Sequence, residues 1–417
     1  MKPISYADLV RIFGRIGFLS FGGPAAQIAF MHRTLVDEQK WLDEDAFLRA
    51  LSLCMLLPGP EAMQLATYAG WRLRGITGGL IAGLLFVIPG AVLIGVLALF
   101  YATYGQVPLV QAAFTGIKAA VFMIVLQALS KVAGKALTTK LAWLMAGAAF
   151  VALFVFGVPF PMVIAVAAAI GALAYSDTAT PSSKPVPVNA RPLFVILIWG
   201  ALWSVPVLAL ALFNQDFLLD VALFFSKLAV VTFGGAYAVL AYMTQAVVSD
   251  FGWISTDQMI DALGLAETTP GPLILVTQFV AMLAGHKHGG AGLAITAGLL
   301  ALWVTFVPCF LWIFLAGPYL DQISARPRID QALKAITAAV VGVILNLALW
   351  FGIHVLFNDV ATVAGGLAAP RPVLASLDLV ALGLTALAAA LILGLKRPIV
   401  QSLGAMACAG LVAAFVL

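Results

Sequence analysis

The chain has 417 residues, 63% of them hydrophobic and only 10% charged, with a formal net charge of +4. Soluble domains carry about 25% charged residues, so this composition, with a mean hydropathy of +1.09, excludes a water-compatible surface. Neither a Walker-type phosphate loop nor a soluble stretch large enough for a nucleotide-binding domain occurs, which argues against a self-contained ATP-driven pump.

In chain order, residues 1 to 15 form a short amphipathic lead with Lys2, Arg11 and Arg15. It has neither the apolar core nor the small-residue cleavage site of a signal peptide, and is expected to stay on the mature chain. Apolar runs then recur to the end, among them 78–100, 141–156 and 193–213. Each is near or above the roughly 18 residues that cross a hydrocarbon core as a helix, and the alternation of a membrane β-barrel is missing. The predicted fold class is an all-α polytopic membrane protein. Its first six elements fall at about 6–34, 43–73, 76–104, 111–131, 141–157 and 159–175. One helix at about 192–213 leads to six more, at about 219–247, 257–285, 289–316, 331–357, 376–394 and 398–416. If each crosses, the chain has about 13 membrane segments.

The two sets of six read as homologous repeats. Phe21-Gly22-Gly23 recurs 212 residues later as Phe233-Gly234-Gly235. The same spacing carries Trp41 to Trp253, Asp45 to Asp257, and Pro58-Gly59-Pro60 to Pro270-Gly271-Pro272. Over this stretch about 15 of about 50 ungapped positions are identical, several-fold above chance. Farther on the spacing becomes 219, pairing Pro89 with Pro308 and Ala119-Ala120-Val121 with Ala338-Ala339-Val340. The expected organisation is an N-terminal repeat, 1–175, a polar linker with its connecting helix, 176–218, and a C-terminal repeat, 219–417. An odd connecting helix inverts the second repeat. With the N-terminus inside, most basic loop residues, from Arg72 and Arg74 to Lys396 and Arg397, fall on the cytoplasmic side.

Each repeat has two breaks. Gly22-Gly23-Pro24 and Gly234-Gly235 interrupt apolar runs, and adjacent glycines cost helix stability, each about 1 kcal/mol against alanine. Pro24 is tolerated where it opens a new helix, and Pro60 and Pro272 are placed to do the same after their Pro-Gly dipeptides. Helix starts of this kind present backbone N–H groups and the positive end of the dipole, which suits an anion. Matched breaks at four places favour a binding or gating element over simple kinks.

Charged and polar residues near the breaks complete the candidate site. Arg15 and Lys227 share the 212 spacing, each six residues before its Phe-Gly-Gly, and either grip an oxyanion or snorkel to an interface. Lys118, inside its helix, is a further candidate. Glu61 follows the first Pro-Gly-Pro and Glu267 precedes the second, whereas their counterparts are Leu273 and Met55. Carboxylates inside a membrane default to roles such as proton relay, with a structural ion pair as the alternative. Gln27, Gln64, Thr268 and Thr269 add neutral donors beside the breaks. Asp37, Glu38, Asp43, Glu44 and Asp45 read as a solvated face with Asp43 as a helix cap, and Trp41 and Trp253 as interfacial anchors. Cys54, Cys309 and Cys408 and the four histidines form no metal spacing, so no metal or other cofactor is expected.

Taken together, Phe21-Gly22-Gly23-Pro24 with Gln27 and His32, Trp41, Leu57-Pro58-Gly59-Pro60-Glu61-Ala62 with Gln64, and their second-half partners from Phe233-Gly234-Gly235-Ala236-Tyr237 through Gly252-Trp253 to Gly264-Leu265-Ala266-Glu267-Thr268-Thr269-Pro270-Gly271-Pro272, resemble the chromate ion transporter superfamily. The match covers both halves and resembles the long, two-domain form. The resemblance implies export of chromate from the bacterial cytoplasm across the inner membrane, driven by the proton motive force, with sulfate as a competing look-alike. It implies a small oxyanion and the lipid bilayer as partners and no nucleic acid; a homodimer stays open. The residues alone also allow a transporter of sulfate or another oxyanion, or a passive anion channel. A membrane enzyme that reduces chromate would need a thiol pair, a haem-ligand pattern or a nucleotide fingerprint, and none occurs.

Overall fold

The structure, a computed structural model, describes residues 4–174, 191–233, 236–320, 327–361 and 370–416. Helices α1 Tyr6–Leu19, α2 Gly23–His32, α3 Glu44–Leu56 and α4 Glu61–Tyr104 open the chain, followed by α5 Pro108–Ala136, α6 Lys140–Phe154 and α7 Phe160–Leu173. α8 Pro192–Leu212 leads to α9 Asp216–Val231, α10 Ala236–Gln245, α11 Thr256–Thr268 and α12 Val276–Ala316. α13 Pro327–Leu356, α14 Leu379–Ala389 and α15 Ile399–Val416 complete the chain. A 3-10 turn, Leu273–Leu275, runs into α12. Among the described residues the helices are joined by one antiparallel pair of two-residue strands, β1 Val360–Ala361 and β2 Arg371–Pro372.

Among the described residues, six helical stretches are long and apolar enough to cross a membrane: 61–104, 108–136, 192–212, 273–319, 331–356 and 399–416. This is a multi-pass membrane protein. Local chemistry sets several helix starts. The Asp43 carboxylate accepts from the Ala46 N–H at 2.7 Å and caps α3, and the Ser5 and Thr139 hydroxyls cap α1 and α6 in the same way.

Two expected elements take a different form. The elements read as 43–73 and 257–285 are each divided at their Pro-Gly-Pro, because proline removes a helix donor and the glycine between takes a left-handed φ. The boundary expected near residues 74–75 is present: Arg74 (φ −144°) and Gly75 (φ 64°) leave the helical range, and Gly70 faces Gly78 and Ala82 across the turn, so 61–104 is two helices folded back on each other. α12 folds back likewise at Gly289 and Gly290 (φ 74°), with Gly285 facing Leu293 and Ala294, at the boundary expected between 257–285 and 289–316.

The chain forms two compact units, each drawing on both halves of the sequence. The first holds residues 1–99, 176–236 and 269–330, and the second 100–175, 237–268 and 331–417. In the first, α12 packs on α8 and α9, and Phe13, Phe86, Phe225 and Phe279 are fully buried. In the second, α5 is surrounded by α11, α14 and α15. Gly116 and Gly410 let α5 and α15 touch backbone to backbone, since a Cβ on Gly116 would collide with the Met406 carbonyl.

Candidate functional site

The site begins with what glycine and proline do to a helix. α1 ends at Leu19, and the chain passes through Gly22 (φ 86°) and Gly23 (φ 77°), in the left-handed region that strains other residues. α2 starts there with Pro24 in its first turn, where the missing N–H has no partner to lose. At the second break Gly59 (φ 123°) and Gly271 (φ 89°) turn the chain. Pro60 and Pro272 then stand directly before Glu61, the first residue of α4, and Leu273, the first residue of the turn that opens α12.

Two backbone hydrogen bonds tie these breaks together. The Gly59 N–H donates to the Thr232 carbonyl at 2.8 Å, and the Gly271 N–H donates to the Ser20 carbonyl at 3.0 Å. Both donors and both acceptors are 212 residues apart, so the chain halves exchange equivalent bonds. The Ser20 and Thr232 hydroxyls turn back to the carbonyls of Ile16 and Leu228, each at 2.6 Å. A Cβ on Gly59 would lie 2.8 Å from both Cys309 Sγ and Gln64 Nε2, so the crossing has no room for a side chain.

The helix starts converge on a small cavity within the first unit, with about 10 Å³ of space for the centre of a water-sized sphere. α2 contributes Pro24 and Gln27, and the start of α4 contributes Pro60, Glu61 and Ala62. Ala236, the first residue of α10, and Pro272 and Leu273 complete the wall. Pro24 with Ala236, Pro60 with Pro272, and Glu61 with Leu273 are again pairs 212 residues apart. Four helical N-termini at one cavity bring the positive ends of four dipoles to it.

The side chains make the wall unequal. Gln27, 2% exposed, donates from Nε2 to the carbonyls of Gly271 at 2.7 Å and Ser20 at 3.3 Å, and its Oε1 meets no donor. Gln64 is fully buried and donates to the Pro58 carbonyl at 2.7 Å. Glu61 is partly exposed and is the charged member of the lining. Each glutamine is thus locked to a break by its amide nitrogen.

The remaining candidates lie elsewhere. Arg15 is exposed on α1 and pairs with Glu38 at 3.4 Å, and Lys227 is exposed on α9; neither lines the cavity. Glu267 and Thr268, at the end of α11, belong to the second unit. Glu267 is buried and accepts from the Tyr237 hydroxyl at 2.7 Å, while Thr268 donates to the Leu265 carbonyl. Thr269 and Pro270 are buried beside Gly271. Gly234 and Gly235 fall outside the described residues. Lys118 belongs to a cluster in the second unit, bonded to Asp257 at 2.6 Å and 3.7 Å from Asp261, whose other oxygen accepts from the Tyr101 hydroxyl at 2.6 Å. Sequence reasoning passed over Asp261 and Tyr101. The signal for Asp261 was a carboxylate four residues after Asp257, at the head of the apolar run 262–266.

Comparison with known proteins agrees with these motifs. The family model described as "Chromate transporter" matches residues 7–172 and again 219–414. A Synechococcus elongatus protein named "Probable chromate transport protein" is 31% identical over 366 residues, 88% of this chain and 89% of its own. "Chromate transport protein" of Pseudomonas aeruginosa is 31% identical, covering 82% of this chain and 80% of its own, and that of Cupriavidus metallidurans is 29% identical, covering 81% and 80%. No solved structure matches the chain. With the family model satisfied twice, on the segments that carry the paired breaks, the chain belongs to the chromate transporter family.

Proposed function

We propose that this protein is a secondary transporter that exports chromate, a tetrahedral oxyanion, across the bacterial inner membrane, with sulfate as a competitor. The observation that carries the reading is the single cavity where helix starts from both halves of the chain meet, at positions paired by the 212 spacing. Inverted-repeat transporters place their substrate at such discontinuous helices, near the repeat axis. On this reading 1–175 and 219–417 are inverted repeats joined by 176–218, and about 13 segments cross when each broken helix counts as one pass. The anion sits against the breaks at 22–24, 58–60 and 270–272, with Gln27 and Gln64 holding the chain in place around it. Arg15 and Lys227, outside the cavity wall, draw the anion in rather than hold it. Glu61 and Glu267 link the movement to protons, and the proton motive force supplies the energy.

The test is uptake of labelled chromate into inverted membrane vesicles, with and without a proton gradient and with excess sulfate. Accumulation that needs the gradient and falls with sulfate is the expected result. Flux that follows voltage alone, indifferent to pH, would mark a passive channel. No accumulation by correctly oriented protein would reject chromate as the substrate.

A further inference from the structure

Glu61 is the charged side chain among the described residues lining the cavity, and no lysine, arginine or histidine lines it. The lining residues from α2, from the start of α10 and from the turn before α12 are uncharged. From α3, the Cys54 thiol lies within electrostatic reach of Glu61. Arg15 and Arg33 are engaged with Glu38 at an exposed surface, and Arg49, the nearest cation earlier in the chain, is exposed on α3 and outside the cavity lining. A dianion entering this cavity meets helix starts and one carboxyl group. Two anions in a small, partly dehydrated space repel one another strongly, and here no side-chain cation offsets the repulsion. A protonated Glu61 removes it and offers an O–H donor to an oxyanion oxygen.

A second feature points the same way. The Gln27 amide is oriented by its two Nε2 bonds, which leave a buried Oε1 acceptor without a donor in the cavity lining. A bare dianion brings only acceptors and leaves this one unmet, whereas a protonated Glu61 brings one O–H donor to a lining that otherwise holds an unmet acceptor.

We infer that the cavity binds its oxyanion together with one proton, held on Glu61, so that anion and proton move through the protein in the same direction. This rests on the cavity being the anion site and adds the sign of the coupling. Loss of the proton restores the carboxylate and expels the anion, so one residue provides both retention and release. Obligatory exchange of anion for proton would require each to exclude the other, the reverse of the electrostatics here. A dianion carried out with one proton moves one net negative charge, so export draws on the electrical component of the proton motive force, negative inside, and works against its pH component.

The test is sulfate binding to the purified full chain in detergent, by calorimetry in two buffers of different protonation enthalpy between about pH 5 and pH 9. Sulfate stays a dianion across this range, so protons taken up belong to the protein. The expected result is uptake approaching one proton per sulfate, with affinity falling about tenfold per pH unit on the alkaline limb. Glu61→Gln should bind sulfate with a flat profile and no uptake, and Glu61→Asp should keep both features. Binding without proton uptake in the parent protein overturns the inference and leaves the anion site standing. Uptake unchanged in Glu61→Gln overturns the assignment to Glu61. Failure of folded protein to bind sulfate or chromate at any pH overturns the anion-site reading, and this inference with it.

Discussion

Glu61 and Asp261 are both carboxylates drawn away from water, and their surroundings could hardly differ more. Asp261, 5% exposed in the second unit, receives the Tyr101 hydroxyl on one oxygen and faces the Lys118 ammonium on the other. Lys118 in turn reaches Asp257 at the surface. Glu61, in the first unit, has the N-terminus of its own helix, a favourable place for an acid, and a cavity wall without cations. Glu267 lies between the two cases: one oxygen accepts from Tyr237, and the other is buried without a donor. A carboxylate whose charge is met by neighbours is part of the scaffold. One whose charge is left open at a cavity is available to a ligand.

The comparison breaks most easily at Asp261. Removing Asp261 leaves the buried Tyr101 hydroxyl without its acceptor, at a cost of about 1–3 kcal/mol, while Lys118 keeps Asp257. Asp261→Ala should therefore lower the unfolding temperature of the purified protein in detergent sharply. Asp257→Asn, at a carboxylate three-quarters exposed, should cost no more than about 1 kcal/mol. Equal melting of Asp261→Ala and the parent would mean the cluster is not structural, and the contrast with Glu61 would fail.

Next in size come Gly59→Ala and Gly271→Ala. Both glycines have left-handed φ, and a Cβ on Gly59 meets Cys309 and Gln64. Holding alanine in such a conformation costs about 1–3 kcal/mol, and the strain falls on the bonds to Thr232 and Ser20 that cross between the breaks. Both variants should lose transport in vesicles by more than their melting loss would suggest. If only Gly59→Ala does so, the two breaks are not functional equivalents.

Much of the scaffold was legible because glycine and proline act locally. Gly22-Gly23-Pro24 and the two Pro-Gly-Pro segments announce helix ends by steric rules that need no tertiary context, and the helices start where those rules put them. The 212 spacing was legible as plain identity. Contacts between distant segments were not. Nothing local pairs Tyr101 with Asp261, 160 residues away, or gives Arg15 to Glu38. Trp253, read as an interfacial anchor, is 4% exposed with Phe251 stacked on it at 4.3 Å, because indole serves a core as well as an interface. That Pro24, Pro60, Ala236 and Pro272 share one cavity is likewise a product of the fold, invisible to any window of sequence.

Glu61→Gln sharpens the comparison from the other side. Glutamine keeps the shape and removes a charge that no lining cation balances, so stability should stay within about 1 kcal/mol of the parent. Chromate movement in vesicles should persist, at a changed rate, without its dependence on the pH gradient. A large melting loss in Glu61→Gln would place this residue with Asp261 in the scaffold.

The smallest effect is expected at Arg15. Its pair with Glu38 spans 3.4 Å with the two side chains 47% and 35% exposed, and exposed pairs are worth about 0–1 kcal/mol. Arg15→Ala should leave melting unchanged. An exposed cation acts on a distant anion through a field that salt screens within about 8–10 Å at ordinary ionic strength. Arg15→Ala should therefore raise the half-saturating chromate concentration at low salt, leave the maximal rate intact, and match the parent at high salt. Loss of maximal rate at every salt concentration would instead bring Arg15 into contact with the anion. The cavity would then have the cation that its lining lacks, and Glu61 would no longer stand apart from Asp261.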